Sequence, residues 1–201
     1  VFNMLTGLNQ HVGNWPGKTI EQKTGAFDYQ SETVRIVDLP GTYSLTANSE
    51  EERVARDYLL HERPDVVMAL VNAAQLERSL YLVAELMALG LPLVVGLNLS
   101  DVAEQHGIKV EPHVLEAALG VPVVRLVASR NVGLRALVAA AVEVVRDPQR
   151  CRPNPPAIRA EHRPILEALT GLIGGHTPAR YPAGWVALKL LEGDSELTAM
   201  M

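Results

Sequence analysis

The sequence predicts an α/β fold with a mostly parallel sheet, followed by a small α-helical unit. Three observations carry that expectation. Short β-branched apolar runs alternate with longer stretches of helical periodicity between Val66 and Arg146. Two strings, DLPG at Asp38 to Gly41 and NLSD at Asn98 to Asp101, each close such a run and lie 60 residues apart. A proline-dense stretch, DPQRCRPNPPA at 147–157, separates this alternation from a purely helical tail.

The elements follow in order. Val1 to Gly7 (VFNMLTG) has the composition of the last two turns of a helix stopped by glycine. His11 to Lys18 reads as a glycine-rich, aromatic loop, with Trp15 expected to be exposed there, in either a packing or a functional role. Thr19 to Phe27 and Thr33 to Val37 read as a two-strand hairpin whose second strand ends at Asp38. Ser49 followed by Glu51 and Glu52 opens a helix through Leu60, with acidic residues where the helix dipole favours them. Then come strand 66–71, helix 76–89, strand 93–97, NLSD with a short helix, helix 112–119, strand 121–127 and helix 134–146. Beyond the proline stretch, 158–174 and 185–191 read as helices. The expected organisation is one domain over 1–146, a linker over 147–157 and a helical domain, cut short, over 158–201.

Composition excludes several functions. A 201-residue chain that is 48% hydrophobic and 20% charged can bury one good core, leaving about 40 to 50 residues for an appendage. Its 18 basic and 23 acidic residues are scattered and sum to −5, which argues against binding a nucleic-acid backbone. The single cysteine, Cys151, excludes an internal disulfide and a cysteine-based metal cluster, and suits a reducing cytosol. The six histidines lack ligand spacing and read as surface residues. No apolar run approaches the roughly 18 to 20 residues of a membrane span. The first residue is Val1 rather than Met, so the sequence is expected to begin inside a longer one.

In an open α/β sheet the ligand site lies beyond the carboxyl ends of the strands, where Asp38, Asn98 and Ser129 would all fall. Asp38 at a strand end can hold a Mg²⁺-bound water, while the Gly41 amide faces a terminal phosphate; the same residues also make an ordinary turn. Asp101 can accept two parallel hydrogen bonds from the N1 and exocyclic amino groups of guanine, which adenine does not offer, or it can simply cap the next helix. Asn98 would brace the neighbouring loops, and Val127, Ala128 and Ser129 offer amides to the base carbonyl. Gly17, Lys18 and Thr19 imitate the end of a phosphate-binding P-loop, but Val12 stands where its first glycine is required and no strand precedes them. Thr19 fits better as a mobile-loop threonine that reaches Mg²⁺ and phosphate, 19 residues before Asp38; Lys18 is then solvated or faces phosphate.

The strings FNMLTG, VGNWPGKTIE, DLPGTYSLTANSEEERVARDYLL, LERSLYL, LNLSD and WVALKLLEGD resemble the ferrous iron transport protein B (FeoB) family over nearly the whole chain. The resemblance implies a Ras-like P-loop GTPase fold, GTP and GDP as ligands, Mg²⁺ as cofactor, and Fe²⁺ uptake at the cytoplasmic face of the bacterial inner membrane. It places Gly17, Lys18, Thr19, Ile20 and Glu21 in switch I and Asp38, Leu39, Pro40 and Gly41 in switch II. Asn98, Leu99, Ser100 and Asp101 become the guanine-selecting loop, and Val127 to Ser129 the last base loop. Thr19 and Gly41 are then catalytic, and Thr19 and Asp38 are the metal residues. K⁺ would be framed by the backbone of Gly13, Asn14 and Trp15. The implied partners are the protein's own membrane-spanning domain and small accessory proteins of iron transport, with self-association a further option and no nucleic acid.

Departures from the family pattern are Lys18 for an apolar residue and Asn72 for an aspartate; Leu99 replaces the lysine of most GTPases, as is common in this family. Thr42 follows Gly41 in place of the water-orienting glutamine of many GTPases, so intrinsic hydrolysis is expected to be slow. The family's P-loop, GNPNSGKTT in form, is not in the sequence, which implies that roughly 15 to 20 natural residues, a strand and that loop, precede Val1; Met201 is an equally arbitrary end. Two other classes compete with a GTPase acting in iron transport. One is a nucleotide-gated interaction module with incidental hydrolysis; the other is a ribosome-assembly GTPase, disfavoured by the acidic balance.

Overall fold

In the computed structural model, residues 1–7 and 10–201 are described. The short helix α1 (Phe2–Thr6) leads into an antiparallel sheet of β1 (Gln10–Asn14), β2 (Glu21–Tyr29) and β3 (Glu32–Asp38), in that spatial order. Gln30 and Ser31 both take positive φ, 48° and 68°, giving the turn whose twist suits a two-residue hairpin. The register sets Lys23 opposite Asp38 and Asn14 opposite Glu21. The turn after β1, the start of β2 and the end of β3 therefore share one end of this sheet.

Here the expectation of a loop over 11–18 is corrected. Gly13 and Asn14 belong to an edge strand, and only 15–20 turn back. The strand lacks a buried apolar face, its residues being exposed or half-exposed, so it carries little of the period-2 signal by which strands are read.

A Ser49 cap opens α2 (Glu50–Glu62), the hydroxyl accepting the amide of Glu52 while the Glu52 carboxylate accepts the amide of Asn48. Then β4 (Val67–Asn72), α3 (Leu76–Ala88), β5 (Leu93–Asn98), α4 (Ser100–Gln105), α5 (Pro112–Leu119), β6 (Val123–Arg125) and α6 (Leu134–Arg146) complete the α/β part. Its three strands form a parallel sheet ordered β4-β5-β6. The predicted parallel sheet is thus three strands, and the hairpin with its β1 partner is a separate antiparallel one.

Burial explains the continuous apolar run of the central strand. On β5, Leu93, Val95 and Leu97 enter one core cluster, while Val94 enters a second with Leu126, Leu134, Leu137 and Val144 beneath α6. Both faces are dry, as expected of a parallel sheet covered by helices. Gly133 takes φ +84°, and a Cβ there would lie 2.1 Å from the Arg125 carbonyl, so only glycine lets α6 start so close to β6.

The proline-dense stretch is strapped down. The Arg152 amide donates to the Gly120 carbonyl and the Asn154 amide to the Leu119 carbonyl, both at 2.8 Å. The Cys151 thiol lies against the Leu93 backbone, its sulfur accepting the amide at 3.3 Å. Helices α7 (Arg163–Ile173), α8 (Ala183–Leu191) and α9 (Ser195–Met200) follow. Ile173, Trp185, Val186, Ala187 and Leu197 enter the same core cluster as Leu45, Leu59 and Val95, so the C-terminal helices share the main core. All six histidines are exposed, as expected.

Candidate functional site

Where β5 ends, the chain makes a constrained turn. Leu99 holds a left-handed backbone, φ 58° and ψ 31°, unusual for a residue with a branched side chain. Ser100 is buried and its hydroxyl donates to the Leu97 carbonyl at 2.7 Å. The Asn98 Oδ1 accepts the amide of Ala128 at 3.1 Å, binding this turn to the one after β6. That second turn is a single 3₁₀ turn, 128–130, closed by a bridge between Val127 and Val132 and ended by Asn131 in left-handed geometry. Val127 is buried; Ser129 is exposed.

Asp101 opens onto the same place. Its Oδ1 is buried and has no hydrogen-bond partner among the described residues, and its Oδ2 lies 3.6 Å from the Arg130 guanidinium. A buried carboxylate oxygen without a donor is costly unless a ligand supplies one. Asp101 sits in the first turn of α4, but no side chain caps that helix, and the residue before it is Leu99. The helix-cap role considered for Asp101 is not made here.

Asp38 ends β3 at the rim shared with the 15–20 turn. Partial burial raises its carboxyl above the usual carboxylate range, chiefly by loss of water, against the pull of Lys23. It makes no ion pair among the described residues, since the opposing Lys23 pairs with Glu21 at 3.4 Å. Leu39 packs against the main core, Pro40 is half-buried, and Gly41 is exposed with open space where a Cβ would be. Thr42 folds onto its own loop, its hydroxyl accepting the Ser44 amide and donating to the Ser44 carbonyl. Tyr43 lies under the Arg78 guanidinium, 3.8 Å from its ring centre.

The 15–20 turn is docked. Trp15 is 8% exposed and meets Tyr58 of α2 edge-on, with ring centres 5.4 Å apart. This corrects the expectation that Trp15 is exposed: a large ring next to a strand end finds a helix to cover it. Lys18 pairs with Glu50 at 3.4 Å, both side chains being partly exposed. The Trp15 carbonyl accepts the Lys18 amide and the Trp15 amide donates to the Ile20 carbonyl, both at 2.9 Å. Gly17 takes φ +69°, Thr19 is exposed, Ile20 is half-buried, and Glu21 starts β2. Thr19 precedes Lys23, the partner of Asp38, by four residues, so it shares that end of the sheet without lying opposite Asp38.

Two clusters thus emerge from the predicted residues: Asn98, Ser100, Asp101 and Val127 to Ser129 where β5 and β6 end, and Asp38 to Gly41 with the Thr19 turn at the end of the antiparallel sheet. Residues 1–141 match the family model described as ferrous iron transport protein B. The chain belongs to the FeoB family.

Its curated relatives include the Fe(2+) transporter FeoB of Shigella flexneri, 39% identical over 96% of this chain and 25% of that protein. Another is the Fe(2+) transport protein A/Fe(2+) transporter FeoB fusion protein of Porphyromonas gingivalis, also 39% identical, over 98% of this chain and 24% of that protein. The chain therefore spans about a quarter of the length of the curated relatives it matches. Among solved structures, the cytosolic domain of L. pneumophila FeoB matches with a TM-score of 0.89 at 36% identity, over 98% of this chain and 78% of that one. The cytosolic domain of T. maritima FeoB matches at 32% identity in its GDP form II and its GMPPNP form. Those TM-scores are 0.90 and 0.88, each over 98% of this chain and 78% and 77% of the other. The fold is that of the FeoB G-domain, a Ras-like P-loop GTPase fold.

Two features of this FeoB chain fall outside the predicted set. Asn72, the departure from aspartate, caps the 3₁₀ turn 73–75 through Oδ1, which accepts the Ala74 amide at 2.9 Å; an aspartate could accept there equally well. A buried polar cluster also holds the segment after DLPG. Glu85 of α3 accepts the Leu45 amide at 2.5 Å and pairs with Lys189 of α8, which also reaches the Thr46 hydroxyl at 2.9 Å. Asp194 accepts the Arg56 guanidinium at 3.0 Å and caps α9. The sequence hinted at this only through charges within apolar helical stretches, Glu85 in LYLVAELMAL and Lys189 in WVALKLL.

Proposed function

We propose that this chain is the GTP-binding and GTP-hydrolysing part of a bacterial ferrous iron transporter, working at the cytoplasmic face of the inner membrane to regulate or drive Fe²⁺ uptake. The observation that carries it is the unpartnered, buried Oδ1 of Asp101 beside the loop tied down by Asn98. A guanine edge would supply the two donors this carboxylate lacks, and adenine would not. Asn98 holds the two base loops together, Leu99 and Ser100 shape the first, and the Val127 to Ser129 amides receive the base carbonyl.

Asp38 fits a cation: it is an unpaired, partly desolvated carboxylate at a strand end. Among the described residues there is no group of three or more His, Cys, Asp or Glu that could hold a metal, so Mg²⁺ would rest on Asp38 with the Thr19 hydroxyl and the nucleotide's phosphates. Bound there, Mg²⁺ supplies charge neutralisation at the phosphates. The protein's own part is to aim the Gly41 amide and Thr19 at the terminal phosphate and to exclude competing donors. With Thr42 turned into its own loop, no side chain at that position orients water, which supports slow intrinsic turnover. K⁺ would be framed by the backbone of Gly13, Asn14 and Trp15, whose Trp15 carbonyl accepts the Lys18 amide at 2.9 Å and keeps a second lone pair.

We assign 1–146 to the G domain, 147–157 to the linker and 158–201 to the helical domain. The expected partners are the transporter's membrane domain and, in keeping with the Porphyromonas gingivalis fusion, Fe(2+) transport protein A. None of the helices of the described residues is long and apolar enough to cross a membrane. A second reading, a nucleotide-gated contact with incidental hydrolysis, is favoured by the Glu85, Lys189 and Asp194 grip on residues 45–47.

The deciding experiment is calorimetric titration of GDP and ADP onto the full-length protein and its Asp101→Ala variant. GDP selectivity lost in the variant supports the assignment, and tight ADP binding overturns it. If a nonhydrolysable GTP analogue alone opens Fe²⁺ transport, the gating reading holds instead of a driving one.

A further inference from the structure

The two oxygens of Asp101 are unequally served. Oδ1 has no partner among the described residues, while Oδ2 faces a guanidinium supplied by the opposite base loop. At 3.6 Å, the contact with Arg130 is longer than a hydrogen bond and within ion-pair range. The backbone beneath Arg130 is fixed, since the residue ends the 3₁₀ turn that the Val127–Val132 bridge and left-handed Asn131 enclose. Its side chain is 66% exposed and can swing into water.

A guanidinium presents parallel N–H donors to a carboxylate, as does the N1 and amino edge of guanine. Resting on the reading of Asp101 as the base reader, we propose that Arg130 is a built-in competitor for that carboxylate. It sets how tightly guanine nucleotide is held and how fast it leaves. At 3.6 Å its charge partly offsets that of Asp101. When the base arrives, the guanidinium yields, and when the base loosens, it returns and hastens departure. The pair is solvent-exposed on the arginine side, so the competition is worth a few-fold rather than orders of magnitude.

The test uses GDP dissociation rates and Kd in the full-length protein. Arg130→Gln should tighten GDP by about three- to five-fold, mostly through slower release, and Arg130→Lys should stay near wild type because the charge remains. The control is an Asp101→Asn background probed with xanthosine diphosphate, whose C2 carbonyl accepts from the asparagine amide. With no carboxylate to compete for, Arg130→Gln should leave Kd unchanged there. Weaker or unaltered GDP binding in Arg130→Gln overturns the proposal, as does an equal tightening in the Asp101→Asn background. If Asp101→Asn keeps its preference for GDP over xanthosine diphosphate, it is the reading of Asp101 that fails, whatever Arg130 does.

Discussion

The side-chain oxygen of Asn98 accepts the amide of Ala128 at 3.1 Å, a brace across 30 residues of sequence that adds to the backbone bonds from the Leu126 amide to Leu97 and from the Ser100 amide to Leu126. Asn98→Ala leaves the Ala128 amide without that acceptor and should cost about 1–2 kcal/mol in urea denaturation. The two turns, still held by their backbone bonds, lose this brace, and on the proposed reading GDP affinity should fall about ten-fold by calorimetry. Asn98→Asp keeps an acceptor and should restore most of the stability.

Asp38 gives a pH signature. Its carboxyl is raised in the folded protein, chiefly by desolvation, so between its ordinary value of 3.8 and the raised one the native state binds more protons than the unfolded state. Stability contributed by this group is present at the acid end and is lost as pH rises through that window. In paired urea titrations, wild type should therefore lose stability relative to Asp38→Asn as pH increases from about 4. The same variant should lower GTP turnover by about 10²–10³-fold.

Leu99 tests backbone strain. A left-handed conformation costs a branched residue roughly 1–2 kcal/mol, and asparagine tolerates it better. Leu99→Asn should raise the urea midpoint by an equivalent of about 0.5–1 kcal/mol. An unchanged or lower midpoint would mean that the half-exposed leucine side chain contributes more packing than its backbone costs.

Lys189 and Glu85 form a buried ion pair, 0% and 5% exposed. Lys189→Met strands the Glu85 charge in the core and should cost about 3–5 kcal/mol. Glu85→Gln still accepts the Leu45 amide, so the double variant should recover a large part of that loss.

The Trp15–Tyr58 contact is an optical probe. Tyr58→Ala removes the ring against which Trp15 rests and should shift its fluorescence to the red without nucleotide, at a stability cost of about 0.5–1.5 kcal/mol from the aromatic pair. The difference from Trp15→Phe isolates this emission from that of Trp185.

The α/β order, the Ser49 cap and the clustering at strand ends were legible because each leaves a local mark: periodicity, a capping pattern, a loop string next to an apolar run. Asn98 as loop brace was also legible, since its amide side chain at a strand end has few other uses. The docking of Trp15 was not, because the ring that covers it comes from Tyr58, 43 residues on. Edge strand β1 escaped for want of a buried face. The role of Lys189 depends on Glu85, 104 residues earlier, and only tertiary structure brings them together.

The grip on residues 45–47 has a mechanical consequence. From Gly41, where a phosphate contact would pull, to the anchored Leu45 amide is only four residues, and Thr42 has already drawn two of them into a tight turn. Four residues reach at most about 13–14 Å when extended, so a pull at Gly41 is taken up first by opening the Thr42 turn and only then reaches the Leu45 amide, Glu85 and, through them, α3 and α8. The chain from Asp38 to the C-terminal helices works as a cord with one loop of slack, and the length held in the Thr42 turn sets how far Gly41 can travel before those helices feel it.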